Sequence, residues 1–458
     1  MSTHSVHVST HSERARQWVH IGSGAFALLL RFLTWWQAAA LATLALALNA
    51  FVLPRVGGRR LYRPIDHARG FPIGILLYPL AVLALILLFP RRLDIVAAAW
   101  AILAFGDGSA TLVGQSASFA TFAPNRDRLP WNAEKTFAGS VAFFVCAAAG
   151  GVALALWTRP AVTPEPSIAF AIAAPIAAAF VAALVETIPI RLDDNISVPA
   201  AAAVVLWLAS LASEDAWMAS RAAVLGTLPW ALAVNAVVAW LGYRARTVTL
   251  SGMLGGAIVG IVIFACGGAF AWLFLFITFL VASIASRLGL KRKMLLGIAE
   301  ERGGRRGAGN AFANCGVAVV AATAAVITPY RAEAMLALTA ALCAGGSDTV
   351  ASEIGKAWGR AAFLVTTGRR VKAGTAGAMS LEGTAAGIVA ALGLASTAVA
   401  FGLVPASTIP AIVVGATAGA LVESALGATL EGPGILNNDV LNFINTAVSA
   451  AVALALLR

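Results

Sequence analysis

The chain has only 21 Asp and Glu among 458 residues, and several stand beside glycine, serine or asparagine in short polar breaks between apolar runs. One break reads Gly106-Asp107-Gly108-Ser109-Ala110-Thr111, and another reads Gly345-Gly346-Ser347-Asp348-Thr349. A small-residue turn then opens a later run: Lys135-Thr136-Phe137-Ala138-Gly139-Ser140 after the first, Ser380-Leu381-Glu382-Gly383-Thr384 after the second. Further on, a run ends in a carboxylate, Glu186 or Glu423, and an asparagine-bearing turn follows, Asp193-Asp194-Asn195 or Asn437-Asn438-Asp439. Carboxylates beside glycine, with an asparagine opposite, are hard oxygen ligands suited to Mg²⁺ held jointly with substrate phosphates. Glycine and Ser/Thr at a helix N-terminus let backbone N–H groups approach a phosphate, aided by the helix dipole. Lys135, one turn ahead of Gly139 and Ser140, would add a point charge on that phosphate. An anion cradle, metal carboxylates and a cation where charge develops are the parts of phosphoryl transfer.

Each feature alone has a plainer reading. Small residues opening a helix are ordinary in membrane bundles, where they allow close packing. Glu186 and Glu423, near run ends, would equally well snorkel to the interface. Lys291, Arg292 and Lys293 are most simply a positive-inside anchor, and Arg31, which interrupts an apolar run, would snorkel or bind lipid. Recurrence favours the functional reading, because the same triplet of features appears in both halves in the same order. No GxxxxGKS loop or kinase glycine-rich loop is present, so the soluble NTPase classes do not explain the pattern. Histidine stops at His67, and Cys146, Cys266, Cys315 and Cys343 lack CxxC spacing, which argues against a zinc site or a disulfide framework.

The elements that must position these residues are membrane helices. Hydrophobic residues make up 60% of the chain and charged ones 12%, against about a quarter in a soluble protein. The mean hydropathy is +0.86. Unbroken apolar runs exclude a β-barrel. They predict an all-α, polytopic protein with helices near 18–34, 36–53, 71–89, 92–105, 136–157, 167–188, 197–213 and 216–242. A second series follows near 247–265, 268–286, 310–328, 331–346, 380–403, 408–428 and 440–457, about 15 spans in all. The runs 92–105 and 331–346 are short, and the polar breaks after them read as cytoplasmic loops. Residues 1–11 read as a polar tail without a signal-peptide core, although His4, His7 and His11 share helical spacing.

The net charge of +11 tests this layout. With the N-terminus cytoplasmic, five of the 32 Lys and Arg lie outside and two lie within spans, leaving 25 on the inside. That asymmetry favours cytoplasmic catalytic loops and an external C-terminus, and makes topology rather than nucleic acid the reason for the basic balance. Four spans, loop, two spans, loop and one more span describe both halves. They are expected to be parallel repeats, 12–242 and 247–458, with the helix near 216–242 closing the first.

The first half resembles the phytol kinase/dolichol kinase family of CTP-dependent polyprenol kinases, relatives of the CDP-diglyceride synthases. The resemblance rests on Arg16-Gln17-Trp18-Val19-His20-Ile21-Gly22, on Gly106-Asp107-Gly108 with Gly114, and on the run from Leu129-Pro130-Trp131 to Ser140. It continues through Glu186-Thr187-Ile188-Pro189 and Asp193-Asp194-Asn195 to Pro199, with Gln17 where that family usually has Lys. The second half is similar to the uncharacterised-domain family that includes the phytyl-phosphate kinases of tocopherol biosynthesis. The matching pieces are Arg306 to Asn314, Ser347-Asp348-Thr349 to Glu353 and Gly355, Gly374 to Thr384, and Leu436 to Phe443 with Asn445-Thr446.

The resemblance implies a nucleotide–metal set of Asp107, Lys135, Glu186, Asp194 and Asn195 in the first half. It implies Asp348, Glu353, Glu382, Glu423, Asn438 and Asn442 in the second, with Arg306 and Asn314 facing that pocket. Asp107, Lys135, Glu186, Asp348 and Glu423 are the expected catalytic residues, and Asp107, Asp194, Asp348 and Glu353 the expected Mg²⁺ ligands. Phosphate contacts are expected from Gly106, Gly108, Gly139, Ser140, Gly383 and Thr384 as well. The fusion implies conversion of a prenyl alcohol, of the phytol or geranylgeraniol type, to its monophosphate and then its diphosphate, with CTP favoured over ATP. Any general base in the second half would be a carboxylate, since no histidine lies there. The rival expectations are a cytidylyltransferase that leaves CMP on a lipid phosphate, and a lipid transporter or flippase.

Overall fold

The computed structural model describes residues 17–56, 73–114, 128–129, 132–188, 193–295, 297, 305–432 and 436–457. The 1–11 tail with its histidines, Arg16, Pro130, Trp131 and Pro189 lie outside the described residues. The chain folds into two compact units, Met1–Ser210 and Leu211–Arg458.

In the first unit, helical residues 17–23 pass into a 3₁₀ stretch, Gly24–Arg31, in place of the straight span expected over 18–34. The Arg31 guanidinium lies 4.3 Å from the Trp157 ring centroid in a cation–π contact. Helices follow at Trp35–Val52 (α1), Ile73–Leu88 (α2), Leu93–Gly114 (α3), Phe137–Thr158 (α4), Ile168–Thr187 (α5) and Asp194–Ser210 (α6). A short hairpin, Arg128–Leu129 (β1) with Asn132–Thr136 (β2), precedes α4. The core forms around α3, whose residues from Leu93 to Ala99 are all buried.

The second unit contains Glu214–Arg244 (α7), Leu250–Gly267 (α8), Ala269–Arg287 (α9), Leu290–Leu295 (α10), Ala308–Ile327 (α11) and Arg331–Trp358 (α12). A three-stranded sheet then orders Arg370–Val371 (β4), Ala362–Leu364 (β3) and Ala378–Ser380 (β5). It is followed by Leu381–Ala400 (α13), Ile409–Leu426 (α14) and Asn438–Leu456 (α15). Helix α7, assigned above to the first half, packs on α8 and α11 and so belongs to the second unit. Helix α12 is the central element: it packs on α9, α11, α13, α14 and α15, and every residue from Ala334 to Ser347 is buried.

Twelve of the described helices are long and apolar enough to span a membrane, fewer than the 15 or so expected. The shortfall includes α2 and α6, which are shorter apolar helices, and the 3₁₀ start. The two polar breaks are not loops. Gly106-Asp107-Gly108 sits within the continuous α3, at a π-helical stretch, and Gly345 to Asp348 lie well inside the 28-residue α12. Glycine lowers helix propensity, but in a bundle it survives where a neighbouring helix approaches closely.

Both units build the same crossing from these pieces. Thr136 caps α4 by accepting a hydrogen bond from Gly139 N at 3.0 Å, and a Cβ on Gly139 would lie 3.0 Å from the Ala110 carbonyl on α3. Ser380 caps α13 by accepting from Gly383 N at 3.1 Å, and a Cβ on Gly383 would strike the Ala351 carbonyl on α12. Gly114 and Gly355 press against the two capping hydroxyls in turn. Ala110 and Ala351 each lie one turn after the aspartate, Asp107 or Asp348, so one crossing fixes that aspartate's helix in both units. The five short strands lie beside the caps and leave the core all-α.

This packing predicts that Gly383→Val costs about 1–3 kcal/mol by overpacking. Gly393→Ala, whose added methyl meets nothing within 4 Å, leaves stability equal or higher. Thermal unfolding of the detergent-purified variants checks this, and equal loss in both would contradict the crossing.

Candidate functional site

In the first unit the site assembles where β2, α5 and α6 meet. Asn132 Nδ2 donates to the Thr187 carbonyl at 3.1 Å, which ties the strand to the end of α5 and aims Lys135 at the same place. The Lys135 ammonium donates to the Glu186 carboxylate and, at 3.1 Å, to Asp194 Oδ2. Glu186 is therefore no snorkelling terminal group; it is 3% exposed and paired. Asp193 Oδ1 accepts from the backbone N–H and the side-chain Nδ2 of Asn195, at 3.0 and 2.7 Å, which starts α6 with Asp194 facing the lysine. Two buried acceptors in this cluster, Glu186 Oε2 and Asn195 Oδ1, have no hydrogen-bond partner among the described residues. Unsatisfied buried oxygens are costly and mark a place where a ligand, ion or water is wanted.

Asp107 joins this cluster from α3, and its charge is felt at both Glu186 and Asp194. Its Oδ2 also lies 3.7 Å from His20 Nε2, and the His20 ring meets Tyr78 edge-on with centroids 4.6 Å apart. Tyr78 in turn accepts from Trp100 Nε1 at 2.7 Å. His20 was legible only as part of a motif; its place beside Asp107 requires the fold. Burial pulls the Lys135 pKa down, but the charges of Asp194 and Glu186 outweigh it and hold the ammonium above its ordinary 10.5.

In the second unit Met379 occupies the place that Lys135 has in the first, directly before the capping residue. The cations come instead from α10 and α12. Lys293 is 1% exposed, donates to the Ser286 carbonyl at 2.8 Å and pairs with the Glu353 carboxylate. Lys356 takes the other Glu353 oxygen at 3.0 Å. Lys293 is thus a buried partner rather than a topology anchor, a role its basic neighbours conceal in the sequence. Glu353, expected among the metal ligands, has both oxygens held by lysines and does not fit that role. The Lys356 charge also reaches Asp348, and Asp348 and Glu423 feel each other. Asn445 Nδ2 donates to Glu423 Oε2 at 2.7 Å, while Asn445 Oδ1 is buried without a partner among the described residues.

The remaining expected residues are distributed as follows. Gly106 packs against Phe143 and Gly108 against Ile21, inside a helix rather than at its N-terminus. Ser140 Oγ donates to the Thr136 carbonyl at 3.1 Å. Glu382 Oε1 accepts from Arg360 N at 3.3 Å, at the sheet side of the cap, and Thr384 follows in the first turn of α13. Asn438 opens α15, and its carbonyl accepts from Asn442 Nδ2 at 2.9 Å. Arg306 and Asn314 line a cavity that also reaches Gly345 and Gly346. Among the described residues no three His, Cys, Asp or Glu converge as a ready-made metal cage.

Two outcomes test these clusters. Lys293→Met, which strands a buried carboxylate on one remaining partner, is expected to cost about 3 kcal/mol, with part regained when Glu353→Leu is added. An unchanged unfolding midpoint for the single variant would contradict the pairing. The Lys135 ammonium, with its pKa raised, contributes stability fully present below about 10.5 and lost as pH climbs through the raised value. The stability difference between the wild type and Lys135→Met is therefore expected to shrink as pH rises above about 10.5.

Comparison with known proteins places the second unit. An uncharacterized membrane protein of Synechocystis sp. is 36% identical over 202 residues, which span 43% of this chain and 78% of that protein. An uncharacterized membrane protein of Methanocaldococcus jannaschii is 30% identical over 218 residues, 47% of this chain and 88% of its own length. Protein VTE6, chloroplastic, of Arabidopsis thaliana is 33% identical over 211 residues, 44% of this chain and 63% of that protein. No solved structure matches. The family described as integral membrane protein DUF92 matches residues 233–450, all within the second unit, and with relatives aligned over most of their own length the chain belongs to that family.

Proposed function

We propose that both units transfer phosphoryl groups to isoprenoid acceptors drawn from the bilayer, the first acting on a prenyl alcohol and the second on the resulting monophosphate. The observation that carries this reading is the Lys135 cluster. One cation is held between two carboxylates that feel the Asp107 charge, and two buried oxygens have no partner among the described residues. The resemblance of the first half to polyprenol kinases, and of the second to a family that includes phytyl-phosphate kinases, supports the same chemistry. CTP is the proposed donor in the first unit.

In the first unit the hydroxyl oxygen of the alcohol bonds to the terminal phosphorus of the nucleotide. The bond from that phosphorus to the bridging oxygen breaks, and the nucleoside diphosphate leaves with the electron pair. The hydroxyl proton passes to a carboxylate, for which Asp107 with His20 at 3.7 Å is the best placed. Lys135, fixed between Glu186 and Asp194, holds its charge where phosphate oxygens gain negative charge. In the second unit the acceptor is already an anionic phosphate oxygen and needs no base, in keeping with a site built without histidine. Lys356, held by Glu353 at 3.0 Å, supplies the cation there.

Mg²⁺ bound with the nucleotide would neutralise phosphate charge in both sites. Asp107 and Asp194 would hold it in the first, and Asp348 and Glu423 in the second. The orphaned oxygens of Glu186 and Asn195 fit a site completed by a hydrated cation and phosphates, while Glu353 is excluded by its two lysines.

The test is incubation of the detergent-purified protein with Mg²⁺, CTP or ATP, and phytol, geranylgeraniol or their monophosphates, with products resolved by mass. The expected outcome is alcohol to monophosphate to diphosphate, with Asp107→Ala blocking the first step and Asp348→Ala the second, each by a factor of about 100 or more. A CMP-bearing lipid would replace this reading with cytidylyl transfer. No phosphorylated product with any donor would favour transport.

A further inference from the structure

The Trp358 end of α12 carries a surface that neither candidate site uses. Helix α12 has 28 residues and so runs about 42 Å, the thickness of a bilayer with its headgroups rather than of the hydrocarbon alone. Its last residue, Trp358, is exposed. Two pieces of the second unit gather there. A Cβ on Gly289, just ahead of α10, would lie 2.6 Å from the Ala357 Cβ and 3.5 Å from the Trp358 ring, and the buried Lys293–Glu353 pair pins α10 to α12. From the other direction, only residues 359–361 separate Trp358 from β3, and β5 runs directly into α13.

Each piece turns one face inward and leaves the other bare. In α10 Lys293 is buried, whereas Met294 and Leu295 are exposed, Leu295 by 88%, with Lys291 and Arg292 exposed on the same short helix. In the sheet, Ala362 lies opposite Ser380, the buried cap of α13, so that face is set toward the protein. Phe363 lies opposite Arg370 and Met379 on the other face. There Phe363 and Arg370 are exposed, as are Val365 and, where the sheet ends, Leu381. Arg360, Arg369 and Lys372 are exposed as well. No acidic residue occurs in 290–295 or 358–381, and Glu382, the next residue, faces Arg360 at 3.9 Å.

A face bathed in water gains nothing from bare phenylalanine, leucine and tryptophan, and a face in hydrocarbon cannot hold this many cations. Interleaved at the end of a span, the two are satisfied together at the boundary of a bilayer whose headgroups are negatively charged. We propose that α10 and the β3–β5 sheet form a docking surface for anionic lipid. Phe363, Val365, Leu381 and Leu295 enter the acyl boundary, and the surrounding lysines and arginines sit on headgroup phosphates. The surface asks for no turnover, so it goes beyond the transfer chemistry and stands without it.

The test uses the full chain in nanodiscs of phosphatidylcholine, with or without phosphatidylglycerol, and reads backbone hydrogen exchange by peptide mass. Exchange across residues 362–372 is expected to slow at least about fivefold when phosphatidylglycerol is present, and to recover in high salt. The double variant Arg369→Gln, Arg370→Gln, altered only at exposed side chains, is expected to lose most of that slowing while peptides of α14 exchange as in the wild type. With benzoylphenylalanine in place of Phe363, irradiation is expected to give a phospholipid adduct on that residue. Equal exchange in the two kinds of disc, or irradiation without a lipid adduct, would overturn the proposal. Slowing by CTP or ATP with Mg²⁺ in phosphatidylcholine discs, with none from phosphatidylglycerol, would overturn it too and give these cations to the nucleotide.

Discussion

A buried charge in this protein has nowhere to go except onto another protein group. Water is absent from the hydrocarbon, so an ionised lysine or carboxylate inside a span is tolerated only when paired or hydrogen-bonded. The chain obeys this at Lys135 with Glu186 and Asp194, at Lys293 and Lys356 with Glu353, and at the bidentate Arg92–Asp94 pair. Much of the architecture around the sites follows from keeping these partners in reach. Asn132 anchors β2 to α5, Asp193 sets the start of α6, and α10 turns back so that Lys293 can meet α12. Among the described residues the buried oxygens without a hydrogen-bond partner include those of Glu186, Asn195 and Asn445 in the candidate sites, along with Asn314 Oδ1, Thr158 Oγ1 and Ser197 Oγ.

The repeated crossing explains how two sequences with few identical residues hold an aspartate in the same way. A capping hydroxyl fixes the start of one helix, the glycine three residues on lets it touch a carbonyl of the partner helix, and the aspartate sits one turn before that carbonyl. None of these parts requires the lysine, so the charge was free to move. In the first unit it stands next to the cap, at Lys135. In the second Met379 takes that position and Lys356 brings the charge from α12 instead, with Glu353 and Lys293 behind it.

Composition and run length were enough to read an all-α membrane protein, and the polar breaks marked the cap and glycine residues that the two helix crossings use. The helix count and the depth of the aspartates were not legible. Gly-Asp-Gly and Gly-Gly-Ser-Asp look like helix ends because glycine and charge both disfavour an isolated helix. Tertiary contact overrides that preference in α3 and α12, where Phe143 fills the space beside Gly106, and Thr278 and Leu394 fill that beside Gly346. Lys293 was concealed for a different reason: one buried lysine among three consecutive basic residues has no local signature, since its partner Glu353 lies 60 residues away. His20 and Asp107 likewise meet only through the path of α3 past the first helical turn.

The depth of Asp348 has a consequence for what the second unit can act on. An aspartate at a span end is open to water-soluble acceptors, whereas one inside α12, behind a fully buried run from Ala334 to Ser347, is flanked by apolar helices. A reacting group reaches that depth with least cost if the rest of its molecule is itself apolar and remains in hydrocarbon, so that only the head is desolvated. A nucleotide donor of the proposed reaction would have the opposite character and would approach from the side where Lys356 is 29% exposed. Under the proposed chemistry, a site between these two approaches would join an apolar acceptor to a polar donor without either crossing the other's solvent, and the central helix is polar toward one end and apolar toward the other.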